Sequence, residues 1–219
     1  MNMKSFVNFL SAFRILAAFA IIATLLLGDY GTSFILYALA SLSDFFDGYL
    51  ARKYKCESKL GGVMDHIGDK LLVANTLIVL SIVLMFILPA FIPGFPVWLI
   101  IVPTVLMISR ELYISGLREF LGTQKIEMPV PKARFSMGKI KTTLQMVATC
   151  ALLLGLCIPQ LTMYSLFVPY SKYLIYGFFG LMYGGVACLW LALVASVWSA
   201  TQYTKTFLGH LKTLDKKQK

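Results

Sequence analysis

SDFFDGYLARKYKCESKLGGVMDHIGDK, residues Ser43 to Lys70, holds four aspartates between long apolar runs. Carboxylates so close to hydrocarbon are costly, and they persist where they face a bundle interior and serve a function there. Asp44 and Asp47 are three residues apart, and Asp65 and Asp69 are four apart. Either spacing puts a pair on one face of a helix.

The surrounding sequence sets the environment of that stretch. Hydrophobic residues make up 58% of the 219 and charged residues only 14%, where a soluble domain carries roughly a quarter charged. Mean hydropathy is +0.77, and the apolar runs approach the ~20 residues that cross a bilayer as a helix. The chain therefore reads as all-α, a polytopic membrane protein with six transmembrane helices near 15–28, 33–52, 61–87, 97–119, 140–158 and 174–203. The first run shows no small-residue cleavage site and reads as a retained span. The breaks are a tight turn at Gly28-Asp29-Tyr30-Gly31, a proline-punctuated loop from Pro89 to Pro96 and an irregular one from Pro159 to Ser171. Before the first span, Phe6, Phe9, Leu10 and Phe13 share a helical face opposite Lys4, Asn8 and Ser11. That pattern predicts an amino-terminal interfacial helix. Residues 1–205 read as one membrane domain and 206–219 as a basic cytoplasmic tail.

With six spans both termini lie on one side, and every basic residue except Lys172 collects there with them. Under the positive-inside rule that side is cytoplasmic, which predicts an integral protein of the cytoplasmic (inner) membrane. The same bias accounts for the net charge of +10, so no nucleic acid is needed to explain it. A basic face also attracts anionic headgroups of membrane lipid and phosphorylated substrates. Cys56, Cys150, Cys157 and Cys188 form no CxxC pair and read as unpaired thiols.

Spans two and three read as an antiparallel hairpin with a cytoplasmic connection, which places all four carboxylates at similar depth. Facing carboxylates repel unless a cation lies between them. Oxygen-only donors favour Mg2+, with Mn2+ also suited, and four carboxylates fit two ions. Gly48, Gly61 and Gly62 let helices approach closely or let a ligand lie against the backbone. Arg52 stands one turn nearer the cytoplasm, where it holds a phosphate or balances the carboxylates.

Asp44-x-x-Asp47-Gly48-x-x-Ala51-Arg52, eight residues, then Gly61-x-x-x-Asp65-x-x-x-Asp69, resembles the motif of the CDP-alcohol phosphotransferases, with each fixed position filled. Asn8 to Arg14 is similar to the family's amino-terminal N-x-L-T-x-x-R, with serine for threonine. Ser109–Leu112, Leu117–Phe120 and Gly138–Met146 resemble the phosphatidylglycerophosphate synthase branch. Val7 and His66 stand where that pattern has proline. The resemblance implies a six-span enzyme, a homodimer with a cytoplasm-facing site, that joins CDP-diacylglycerol to glycerol 3-phosphate and releases CMP. It implies metal ions on Asp44, Asp47 and Asp65, with Asp69 as general base or a further metal ligand. It assigns Asn8, Gly48, Arg52 and Gly61 to CDP-diacylglycerol.

The acceptor is a dianion, so its site calls for cations near the metals. Arg110, Arg118, Lys139 and Lys141 begin or end helical segments at that level, where they hold its phosphate or serve topology alone. Arg110 lies deepest inside its span, and Glu111 is expected to partner one of these cations. Two alternatives remain: a sister enzyme using inositol phosphate, serine or phosphatidylglycerol, and a cation transporter with the aspartates as its ion site.

Overall fold

The computed structural model describes residues 3–54, 59–123, 137–164 and 172–217, which contain six helices and no strand. They are α1 (Met3–Leu26), α2 (Tyr30–Tyr54), α3 (Lys59–Phe91), α4 (Trp98–Thr123), α5 (Met137–Tyr164) and α6 (Lys172–Lys217). Among the described residues, stretches long and apolar enough to cross a membrane occur in five helices, α1, α3, α4, α5 and α6. This is an integral membrane protein. The second half of α2 carries Asp44, Asp47, Arg52 and Lys53.

α1 is one unbroken helix from Met3 to Leu26. No glycine or proline interrupts its hydrogen-bond ladder, so the expected interfacial segment and the first span form a single element. The α1–α2 turn matches its sequence signal. Gly28 adopts φ 77°, and the Asp29 N–H donates to the Thr24 carbonyl at 2.9 Å, a glycine-dependent helix end. Asp29 then caps α2, its Oδ1 accepting from the Thr32 N–H at 3.1 Å. Hydrogen bonds from the Thr32 hydroxyl and from its backbone N–H hold the Asp29 carboxyl below its ordinary pKa. The Gln160 side-chain oxygen accepts from the Tyr30 and Gly31 N–H groups at 2.9 and 3.1 Å, which ties the start of α2 to α5.

Two proline expectations need correction. α3 continues past Pro89 to Phe91, and α5 continues past Pro159 to Tyr164. Proline removes one N–H from a ladder, and within a packed bundle the neighbouring helices support the turn. Ser171 lies outside the described residues, as does the 165–170 segment before it. The basic tail lies within α6 as far as Lys217, so 205/206 is not an element boundary.

α1 packs extensively against both α2 and α3, α5 against α6, α2 against α5 and α4 against α6. α2 and α3 touch each other little; α1 joins them. The core is built on inward stripes of α1, α3, α5 and α6: Ala18, Ile21 and Leu25; Leu77, Leu80, Leu84 and Leu88; Ala148, Leu152 and Leu156; Met182, Val186, Leu189 and Ala192. Their three- and four-residue spacing is the helical repeat. Where lipid surrounds the bundle, close backbone approach replaces the hydrophobic drive. A Cβ on Gly185 would lie 2.8 Å from Leu152 Cγ and 3.3 Å from the Ala148 carbonyl oxygen. Gly68 of α3 sits against Arg14, Ile15 and the Ser11 carbonyl of α1. Gly62, by contrast, faces open space rather than a helix crossing.

Candidate metal centre

Arg14 organises the carboxylates. Its stem lies on α1 opposite Gly68, and its side chain is fully buried. Nη1 lies 3.1 Å from Asp44 Oδ1 of α2 and 2.8 Å from Asp65 Oδ1 of α3, and it donates to Asp69 Oδ1 as well. One oxygen from each aspartate lies within 4.8 Å of the others. The acids keep 29%, 45% and 33% of their side-chain surface exposed, so they can accept a ligand while the arginine cannot reach water. The spacing of Asp65 and Asp69 does put both on one face, as their sequence requires.

These residues suit a hard divalent cation. All donors are carboxylate oxygens, they converge on one point, and they already gather around a positive charge. The side chains of Asp47, Arg52 and Lys139 lie outside the described residues, and Gly48 is placed only as part of α2.

A cleft of about 380 Å3 opens beside the triad between α3, α4 and α5. Asp69 lines it together with His66, Lys70, Glu111, Ser115 and Lys141, so Asp69 belongs to both triad and cleft. Lys70 Nζ donates to Ser115 Oγ at 2.6 Å. Lys141 Nζ donates to Glu111 Oε1, and Arg110 Nη1 donates to the same oxygen at 3.1 Å. Glu111 thus partners two cations, as expected. Burying a lysine beside hydrocarbon is tolerable only with such a partner.

The other predicted acceptor residues go elsewhere. Arg110 turns toward α6, donating to the Ser196 carbonyl at 3.1 Å and to Ser199 Oγ at 3.0 Å. Arg118 is exposed, with its guanidinium 5.2 Å from the centre of the Tyr203 ring and a 3.2 Å contact to the Tyr203 hydroxyl. Gly61 is buried at the start of α3, and Asn8 is half-buried on α1 nearly two turns before Arg14. The sequence reading missed Arg14 as a site residue, having used it for orientation and for the amino-terminal motif. The available signal was an arginine bordering an apolar run, which needs a carboxylate within reach. Lys70 was missed too, since only its proximity to Asp69 suggested a role.

Residues 5–198 match the family model of the CDP-alcohol phosphatidyltransferases. The chain is 43% identical over 120 residues to a CDP-diacylglycerol–glycerol-3-phosphate 3-phosphatidyltransferase of Cereibacter sphaeroides, covering 55% of this chain and 48% of that one. A relative of the same name from Rickettsia bellii is 36% identical over 151 residues, 68% of this chain and 74% of its own. Another from Salmonella choleraesuis is 30% identical over 179 residues, 82% and 80%. The chain thus spans about half the length of the first relative, and 74% and 80% of the other two.

Proposed function

Since the chain belongs to the CDP-alcohol phosphatidyltransferase family, we propose that it transfers the phosphatidyl group of CDP-diacylglycerol to glycerol 3-phosphate. The products are phosphatidylglycerophosphate and CMP. The observation that carries this is the convergence of Asp44, Asp65 and Asp69 at the edge of a cleft lined by Lys70 and Lys141. The relatives' names support the choice of acceptor.

In this reading Asp44, Asp65 and Asp69, joined by Asp47, hold Mg2+ or Mn2+, with two ions matching four carboxylates. Bound there, divalent ions neutralise the pyrophosphate and the CMP leaving group. Asn8, Gly48, Arg52 and Gly61 contact CDP-diacylglycerol. The glycerol 3-phosphate hydroxyl attacks the β-phosphorus, the bond to the CMP oxygen breaks, and the hydroxyl proton must leave. Asp69 faces both compartments, so it accepts that proton or orients the hydroxyl from the metal side. Such a base contributes about 10²–10⁴-fold in rate. Lys141 and Lys70 point charge into the cleft and receive the acceptor phosphate, with Lys139 beside them. Arg110 holds α4 to α6, and Arg118 marks the cytoplasmic rim.

The accompanying topology has α2 as the sixth span, both termini and the site on the cytoplasmic side of the inner membrane, and the first turns of α1 at the interface. Residues 1–205 form the membrane domain, 206–219 extend its last helix as a basic tail, and a second copy of the chain completes a homodimer. The deciding experiment measures CMP release by purified protein in detergent, with Mg2+ or EDTA. Glycerol 3-phosphate, inositol phosphate, serine and phosphatidylglycerol are compared, and Asp69→Asn is run alongside. Metal-dependent release with glycerol 3-phosphate alone, lost in the variant, is expected. Release with another alcohol reassigns the acceptor, and no release with any of them from folded protein refutes the enzyme.

A further inference from the structure

We propose that Arg14 is a built-in counter-cation that metal loading must displace. Its guanidinium lies among the carboxylates, and a divalent ion takes that space when the site is loaded. This rests on reading Asp44, Asp65 and Asp69 as the metal site.

The geometry requires an exchange. Arg14 Nη1 contacts Oδ1 of all three aspartates, and these oxygens lie within 4.8 Å of one another. An ion held by all three sits about 2.0–2.6 Å from each oxygen, depending on the metal, which is the space that Nη1 fills. Nitrogen and metal cannot share it, and like charges so close repel. A terminal guanidinium nitrogen carries two N–H bonds, so it cannot point one at each of three acceptors. The third carboxylate is held by charge, a weaker grip than an ion that takes six or more oxygens offers.

Arg14 stands on α1, whereas the three carboxylates stand on α2 and α3. Release of the guanidinium therefore moves a side chain of α1 and leaves the carboxylates in place on their own helices. The counter-cation keeps three acids together before any ion arrives, at the expense of metal affinity. It also makes loading an exchange of +1 for +2.

The test is equilibrium Mn2+ binding to the full chain in detergent, without substrate, read from the electron paramagnetic resonance signal of free Mn2+. Removing a competing charge predicts that Arg14→Gln binds Mn2+ about tenfold or more tightly than the unaltered protein. Arg14→Lys, which keeps the charge, stays close to the unaltered protein. The thermal midpoint of Arg14→Gln falls in EDTA and recovers in Mn2+. Binding by Arg14→Gln that is equal or weaker overturns the inference and leaves Arg14 a structural tie, with the metal site intact. If the unaltered protein binds no Mn2+, the metal-site reading falls and this inference with it. Should Arg14→Gln survive only in Mn2+, its Mn2+ release to a chelator is compared instead. Slower release than from the unaltered protein supports the exchange, and equal or faster release refutes it.

Discussion

Gly185→Ala tests the packing that holds α5 against α6. A methyl at 185 would meet Leu152 Cγ at 2.8 Å, Leu152 Cδ2 at 2.9 Å and the Ala148 carbonyl oxygen at 3.3 Å. Leu152 and Ala148 are completely buried, so neither can yield toward lipid, and the two helices must separate. Overpacking of this kind costs about 1–3 kcal/mol. Alanine also gains about 1 kcal/mol in helix propensity over glycine, which masks part of that cost. Gly184→Ala supplies the reference, because its methyl would meet nothing within 4 Å. Both variants share the propensity gain, so their difference isolates packing at about 1–3 kcal/mol. Thermal unfolding in detergent reads it, at roughly 2–4 °C per kcal/mol for a chain of this length. Gly155→Ala falls between the two: its close contact is the terminal methyl of Met182, the far end of a flexible side chain. If Gly185→Ala melts at or above Gly184→Ala, the close α5–α6 approach is not a structural requirement and the reasoning fails.

Lys141→Ala, at the position proposed to receive the acceptor phosphate, is expected to raise KM for glycerol 3-phosphate about tenfold through loss of that charged contact, while KM for CDP-diacylglycerol stays unchanged. Arg118→Ala, an exposed position, shifts neither by more than about twofold; steady-state kinetics on both substrates separate the two, and a reversed order would move the acceptor to the rim. Glu111→Gln leaves Lys141 and Arg110 without their carboxylate. Removing one partner of a fully buried pair costs 3–5 kcal/mol, and with Glu111 30% exposed about 1–3 kcal/mol is expected as a lower thermal midpoint. An unchanged midpoint would show that the network contributes nothing to folding.

The amount legible in sequence differed by residue. The pairing of Asp65 with Asp69 was readable because a four-residue spacing is local and one helix enforces its face, whereas Asp44 joins them from another helix. Glu111 was readable for the same reason: a carboxylate beside Arg110 within a span needs a cation. Arg110 itself was not. Its depth in α4 suggested the acceptor, yet it reaches a carbonyl and a hydroxyl on α6, 86 and 89 residues away in the chain. Nothing local to residue 110 encodes that choice. Pro159 misled for a related reason, since proline opposes helix in isolation and a packed bundle supports it.

By itself the sequence determined the membrane class, the order of six helices with their central segments, the shared face of Asp65 and Asp69 and, through the motif, the family, although α1 begins well before residue 15 and α6 runs well past residue 203. Those properties follow from hydropathy, helical period and fixed spacing, all of which act within one segment. Only the tertiary structure decided that α1 joins α2 to α3, that Arg14 enters the carboxylates, and that Lys70 and Lys141 share a cleft with Asp69. Hydrophobicity drives each helix into lipid but does not choose its neighbours there. That choice belongs to close fits such as Gly68 on α1 and Gly185 on Leu152, and to buried charges whose partners lie on other helices.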